Sequence, residues 1–105
     1  MKIGVEYLRY SSERQTEQSI EGQMRVCDEY AAKNDILIVD RYIDRAMTGT
    51  NDNRREFQRM IKDSAKNAWD YVLVYKLDRF SREKYETAIN RHALKVNGVK
   101  LLSAM

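Results

Sequence analysis

Proline is absent from this sequence of 105 residues, and cysteine occurs once, at Cys27. A single cysteine excludes an internal disulfide framework and a multi-cysteine metal site, and it fits a reducing compartment. No apolar run approaches the roughly 20 residues that a membrane-spanning helix needs. The first residues also lack the pattern of a secretory signal. The composition therefore indicates a globular domain, which we expect to be cytoplasmic and to keep Cys27 in its core.

A strong excess of charge of either sign is also lacking. The chain has 19 lysines and arginines against 16 aspartates and glutamates, for a net charge of +3. This mild excess permits nucleic-acid binding without requiring it. The single histidine, His92, lies on the apolar stripe of a predicted helix, and we expect it to pack there. With no histidine beside the polar residues described below, the usual Ser-His-Asp hydrolase is excluded.

Strand and helix patterns alternate along the chain. The first predicted helix has Ser19 as a candidate cap, and the last has an apolar stripe of Tyr85, Ala88, Ile89, His92 and Val96. The alternation predicts an α/β fold: three layers, with a mainly parallel twisted sheet of four to five strands and helices on both faces. Predicted strands are 3–9, 36–39, 71–75 and 99–102, and predicted helices are 19–33, 53–67 and 82–97.

Polar residues gather where the predicted strands end, which is one edge of a parallel sheet and the usual place for ligands. Ser11 and Ser12 are candidate nucleophiles at the end of the first strand. Arginine matches phosphate oxygens with a planar fork of donors and keeps its charge. A hydroxyl surrounded by arginines is typical of a phosphoryl-transfer site. The arginines near this edge are Arg9, Arg54, Arg55, Arg79 and Arg82.

Other interpretations stay open on the residues alone. A serine at a strand end commonly starts a turn, and Asp78 with Arg79 can form an exposed ion pair of little energy. Asp40, Asp44 and Asp78 can bind Mg²⁺ in a flavodoxin-like receiver module. A non-catalytic nucleic-acid-binding or regulatory domain of the same fold is a further alternative.

Four motifs, taken in order along the chain, resemble those of the serine site-specific recombinases, the resolvase/invertase and large serine integrase group. They are Tyr7-x-Arg9-x-Ser11, Ser19-x-x-x-Gln23, the Asp44 to Thr48-Gly49 loop with Arg54 five residues beyond the glycine, and Lys76-Leu77-Asp78-Arg79-Phe80-Ser81-Arg82. Tyr10 departs from the small aliphatic residue that is usual there. The long segment from Ser11 to Gln23 resembles that of large serine recombinases, integrases or related transposases.

The resemblance implies a role for each motif residue. Ser11 would attack a DNA phosphodiester, leaving a 5′-phosphoserine link and a free 3′-hydroxyl. Gln23 would hold the phosphate or the loop, and Asp78 would orient the arginines and assist proton movement. The arginines implied to grip the scissile phosphate are Arg9, Arg54, Arg79 and Arg82. No metal, nucleotide or other cofactor is implied, because the covalent link conserves the bond for rejoining.

The resemblance also implies the domain organisation. We expect residues 1–105 to be the catalytic domain, truncated at its C-terminus before a long oligomerisation helix and a DNA-binding region. Alone it would fold, bind DNA weakly and fail to recombine. The full-length protein, of bacterial or phage origin, would bind double-stranded DNA as a homodimer on each site and as a homotetramer in the synaptic complex.

Overall fold

A four-stranded parallel sheet forms the centre of the part of the chain that the structure describes, namely residues 1–10, 17–45, 54–81 and 83–105. In this computed structural model the strands follow the order β2-β1-β3-β4. The α/β fold with a parallel sheet is therefore confirmed. The elements are β1 (Lys2–Arg9), α1 (Glu17–Lys33), β2 (Ile36–Asp44), α2 (Arg55–Asp63), a 3-10 turn (Ser64–Lys66), β3 (Tyr71–Val74), α3 (Leu77–Phe80), α4 (Lys84–Val96) and β4 (Lys100–Ser103).

Successive residues of β1 point to opposite faces of the sheet, and both faces are covered. Val5 and Tyr7 pack in a cluster with residues of α2, α3 and α4. Leu8 packs on the other face with Ile20 and Cys27 of α1. The structure thus has three layers, with α1 on one side of the sheet and α2 and α4 on the other. The expectation that Cys27 belongs to the core is confirmed, since its side chain is fully buried.

One local prediction about the helices was wrong, and one short helix was not predicted. The first helix begins at Glu17, so Ser19 lies inside the helix and is not its cap. A short helix, α3, follows β3. The sequence analysis did not predict it, because four residues are too few for apolar periodicity to reveal a helix. Most of the predicted loop at 44–53 lies outside the described residues.

The apolar stripe on α4 was assigned to the wrong face of the helix. Tyr85, Ile89 and Val96 are 80%, 67% and 70% exposed, and His92 is exposed as well, so its predicted packing role is wrong. Leu94 is the buried residue of this helix. Periodicity identifies an apolar face, but the sheet determines which face is covered. Here the half-buried neighbours of Leu94 on the covered side are polar or small: Thr87, Asn90, Ala93 and Asn97.

Candidate active site at the carboxyl edge of the sheet

The first two strands end side by side at this edge. Arg9 is the last residue of β1, and its register partner is Asp44, the last residue of β2. Arg9 is 8% exposed, and it shares the strand parity of Tyr7, which points its side chain toward the layer of α2 and α4. The predicted nucleophile Ser11 follows Arg9 by two positions in the sequence, and it and its neighbour Ser12 are outside the described residues.

Gln23 fastens α1 to the end of β1. Its Nε2 donates to the carbonyl oxygen of Arg9 at 3.0 Å, and the Arg9 N–H donates to Gln23 Oε1 at 3.4 Å. The side chain is 3% exposed, so water competes little for these bonds. Of the two roles considered for Gln23, these contacts favour holding the backbone next to the predicted nucleophile.

Arg54 connects three elements at this edge. It precedes α2 in the left-handed backbone region, with φ 44° and ψ 52°, which is uncommon for a residue other than glycine. Its guanidinium lies 3.7 Å from the ring centroid of Phe57. Its Nε donates to the Tyr7 hydroxyl at 3.3 Å, and Nη2 donates to the carbonyl oxygen of Phe80 at the end of α3. Arg54 is therefore held at the junction of β1, α2 and α3.

Asp44 organises the same junction, although the sequence indicated no capping role for it. Its Oδ2 accepts from the Tyr7 hydroxyl at 2.8 Å, and its two oxygens accept from the backbone N–H groups of Glu56 and Phe57 at 3.0 Å each. Asp44 thus caps α2 from a neighbouring strand. Burial raises the pKa of Tyr7, so its hydroxyl remains a neutral donor to Asp44. Both residues stand in the quoted motifs, which was the available signal for their importance.

Asp78 and Arg79 are on α3, at the end of the next strand. Arg79 Nη1 lies 3.2 Å from Asp78 Oδ1, and the Asp78 side chain is half exposed, so this pair also fits the exposed ion pair that was the alternative interpretation. Within the described parts of the chain, Arg79 Nε is buried and has no hydrogen-bond acceptor. A buried guanidinium donor without a partner is costly, and an incoming phosphate oxygen would supply the acceptor. The remaining predicted arginine, Arg82, lies outside the described residues.

The structure brings Arg9, Gln23 and Arg54 to one edge of the sheet, with Asp78 and Arg79 on the adjoining helix α3. Fixed guanidinium groups at such an edge can stabilise the negative charge that develops during phosphoryl transfer. Over residues 1–10, 17–45, 54–81 and 83–105, no three His, Cys, Asp or Glu side chains are grouped to hold a metal ion. No helix in these same ranges is long and apolar enough to span a membrane.

Comparison with known proteins points to one family. The family model described as "Resolvase, N terminal domain" matches residues 4–105. No curated protein sequence matches the chain. Solved structures, by contrast, match it over nearly its full length.

Three of these structures are informative. The chain is 31% identical to the N-terminal catalytic domain of TP901-1 integrase, with a TM-score of 0.83, covering 98% of this chain and 77% of that one. It is 30% identical to a resolvase family site-specific recombinase from Streptococcus pneumoniae, with a TM-score of 0.88 and coverage of 99% and 72%. It is 27% identical to the C-terminal catalytic domain of ISC1926 TnpA, an IS607-like serine recombinase, with a TM-score of 0.81 and coverage of 98% and 67%.

Proposed function

Because this chain belongs to the resolvase N-terminal domain family and has the fold of serine recombinase catalytic domains, we propose that it cleaves and rejoins DNA through Ser11. The hydroxyl of Ser11 attacks a DNA phosphodiester. The 3′-oxygen leaves as a free hydroxyl, and the 5′-phosphate becomes esterified to the serine. Attack by a 3′-hydroxyl on that ester then restores the DNA strand and releases Ser11.

The observation that carries this proposal is the gathering of arginines at the carboxyl edge of the sheet. The Nε of Arg79 is a buried donor without an acceptor among the described residues, and Arg54 donates to the carbonyl oxygen of Phe80, the next residue along the chain. In the proposed reaction these groups and Arg9 bind the non-bridging oxygens of the scissile phosphate. Their positive charge stabilises the transition state without a metal ion or other cofactor. Arg82 acts with them, and Asp78 orients Arg79.

The remaining side chains hold this set in place. Gln23 fixes the backbone of Arg9, two residues before the nucleophile. Tyr7 and Asp44 hold the start of α2, and with it Arg54. In the mechanism proposed here, neither Tyr7 nor Asp44 touches the reacting atoms.

We also propose that the intact protein acts on double-stranded DNA as a dimer on each site and as a tetramer in the synaptic complex. Support comes from the outer face of α4, where Tyr85, Ile89 and Val96 present apolar side chains to solvent at helical spacing. An exposed apolar stripe of this kind is typical of an association surface. We expect the 105-residue domain by itself to be inactive in recombination.

Trapping the covalent intermediate tests the proposed reaction. The intact recombinase that carries this domain is incubated with its DNA site, denatured, and examined for protein joined to a 5′ DNA end. Wild type and Ser12→Ala should both form the adduct, and Ser11→Ala should not. Absence of an adduct in every sample on a verified site would contradict the proposal and favour a non-catalytic DNA-binding or regulatory domain.

A further inference from the structure

Glu6 is a fully buried carboxyl group that the proposed reaction does not use. It lies on β1 with Arg41 of β2 as its register partner. The Arg41 Nε donates to Glu6 Oε1 at 2.8 Å, and Arg41 Nη2 donates to Asp28 Oδ1 at 3.0 Å. The other oxygen, Glu6 Oε2, is buried and accepts no hydrogen bond from the described residues. An ionised carboxylate in this setting would leave one oxygen without a donor, which is costly.

Among residues 1–10, 17–45, 54–81 and 83–105, three titratable or charged groups face Glu6. They are Asp28 and the Cys27 thiol of α1, and Arg41 of β2. The register partner on β3, Leu73, is apolar. Burial first, and then the hydrogen bond and the charge of Asp28, raise the pKa of Glu6 to about 8. Burial likewise raises the pKa of Cys27 to about 12, so that thiol stays neutral at physiological pH.

Asp28 shows the complementary shift. The hydrogen bond with Glu6 is the main cause that lowers the pKa of Asp28, and Arg41 lowers it further. The two shifts agree on one arrangement, in which Glu6 keeps a proton and donates it to an ionised Asp28. Arg41 then balances the single negative charge. In this arrangement Glu6 Oε2 is the donor atom and no longer lacks a partner.

We propose that Glu6 and Asp28 share one proton beneath Arg41, and that this contact makes Glu6 a positioning residue for the active site. Polar side chains hold helix α1 to the sheet at two points: Gln23 bonds to the backbone of Arg9, and Asp28 is joined to Glu6 through Arg41. Between these points Cys27 packs against Leu8. Loosening the Asp28 contact therefore loosens the helix that holds Arg9. The shared proton does not depend on the proposed function. Its consequence for the active site does rest on the proposed function.

The sign of the pH dependence follows from where the proton is held. Glu6 binds its proton more tightly in the folded chain than when the helix is detached, because its folded pKa is raised from 4.5 to about 8. The stabilisation is therefore complete below about pH 4.5 and declines as the pH rises toward 8. Above pH 8 Glu6 has released its proton to solvent base, and two carboxylates face a single arginine.

Carboxyl titration and amide hydrogen exchange of the 105-residue chain test the shared proton. In ¹³C-labelled protein the Glu6 carboxyl should titrate near pH 8. Protection of the α1 amides, corrected for intrinsic base catalysis, should fall by up to about tenfold per unit between pH 5.5 and 7.5, and level off above pH 8. In Glu6→Gln this decline should vanish, because the amide can donate to Asp28 and accept from Arg41 at any pH. Glu29→Gln, an exposed change on the same helix, should behave as wild type.

Two results would overturn the shared proton: a Glu6 carboxyl that titrates near 4.5, or the same decline of protection in Glu6→Gln. If Glu6→Gln does not fold, the titration of the Glu6 carboxyl in the wild-type protein still shows whether the proton is shared. The positioning role is tested by adduct formation in the intact recombinase between pH 7 and 9. The ratio of wild-type to Glu6→Gln rates should fall with a midpoint near the Glu6 titration. Coincident profiles would remove the positioning role, and absence of adduct at every pH would instead refute the proposed function and leave the titration result standing.

Discussion

Replacing Asp44 by alanine should destabilise the fold more than any other single change of an acidic residue at the proposed site. The carboxylate caps α2 through the N–H groups of Glu56 and Phe57, and it accepts from the Tyr7 hydroxyl. Loss of an N-cap costs about 1 kcal/mol. Loss of an ionised partner for a buried hydroxyl costs about 1–2 kcal/mol more. We therefore expect the free energy of unfolding of Asp44→Ala to fall by about 2–3 kcal/mol.

Urea denaturation followed by circular dichroism measures this loss. Asp44→Asn keeps one carbonyl acceptor and should lose about half as much stability as Asp44→Ala. Asp70→Ala is the matched control, because Asp70 is exposed and its side chain makes no hydrogen bond within the described residues. The free energy of unfolding of this variant should stay within about 0.5 kcal/mol of wild type. An Asp44→Ala protein as stable as the Asp70→Ala control would refute the reasoning, since the three hydrogen bonds would then contribute nothing.

Two further predictions concern α4 and Arg54. Leu94→Ala should lower the free energy of unfolding by about 2–5 kcal/mol, because Leu94 is fully buried. Ile89→Ala, on the exposed face, should change it by less than about 0.5 kcal/mol. Equal losses in urea denaturation would contradict the observed orientation of the helix. Arg54→Lys should slow adduct formation in the intact recombinase by at least about tenfold while the fold persists, since an ammonium group cannot bridge Tyr7 and Phe80 as the guanidinium does. An unchanged rate in a quenched time course would show that Arg54 has no part in the reaction.

The parallel sheet could be predicted because its signals are local. Tyr71–Val74 is apolar on both faces, as a strand covered by two layers must be. The position of the polar residues at one edge could then be predicted from the parallel sheet, because the carboxyl ends of parallel strands lie at the same edge. The family match confirmed the resemblance that the four motifs had indicated. The individual roles of the seven proposed site residues stay predictions, and for Ser11 and Arg82 the described residues offer no geometry.

Features that depend on distant contacts could not be predicted. The residue that caps α2 is Asp44 of β2, so the sequence next to the helix does not predict the cap. The face of α4 that packs on the sheet is the one that carries Leu94, although the outer face has the stronger apolar pattern. The buried position of Glu6 contradicts its polarity. It becomes understandable only when Arg41 and Asp28 are seen beside it.

The contacts of Asp44 with the start of α2 also close a loop in the chain. Because Asp44 binds the backbone of Glu56 and Phe57, the two ends of the intervening segment are held together whatever lies between them. The entropy cost of closing a loop grows slowly with its length, by roughly 0.6 kcal/mol for each doubling. Lengthening the chain between Arg45 and Arg54 should therefore cost little stability, because Asp44 still joins the end of β2 to the start of α2.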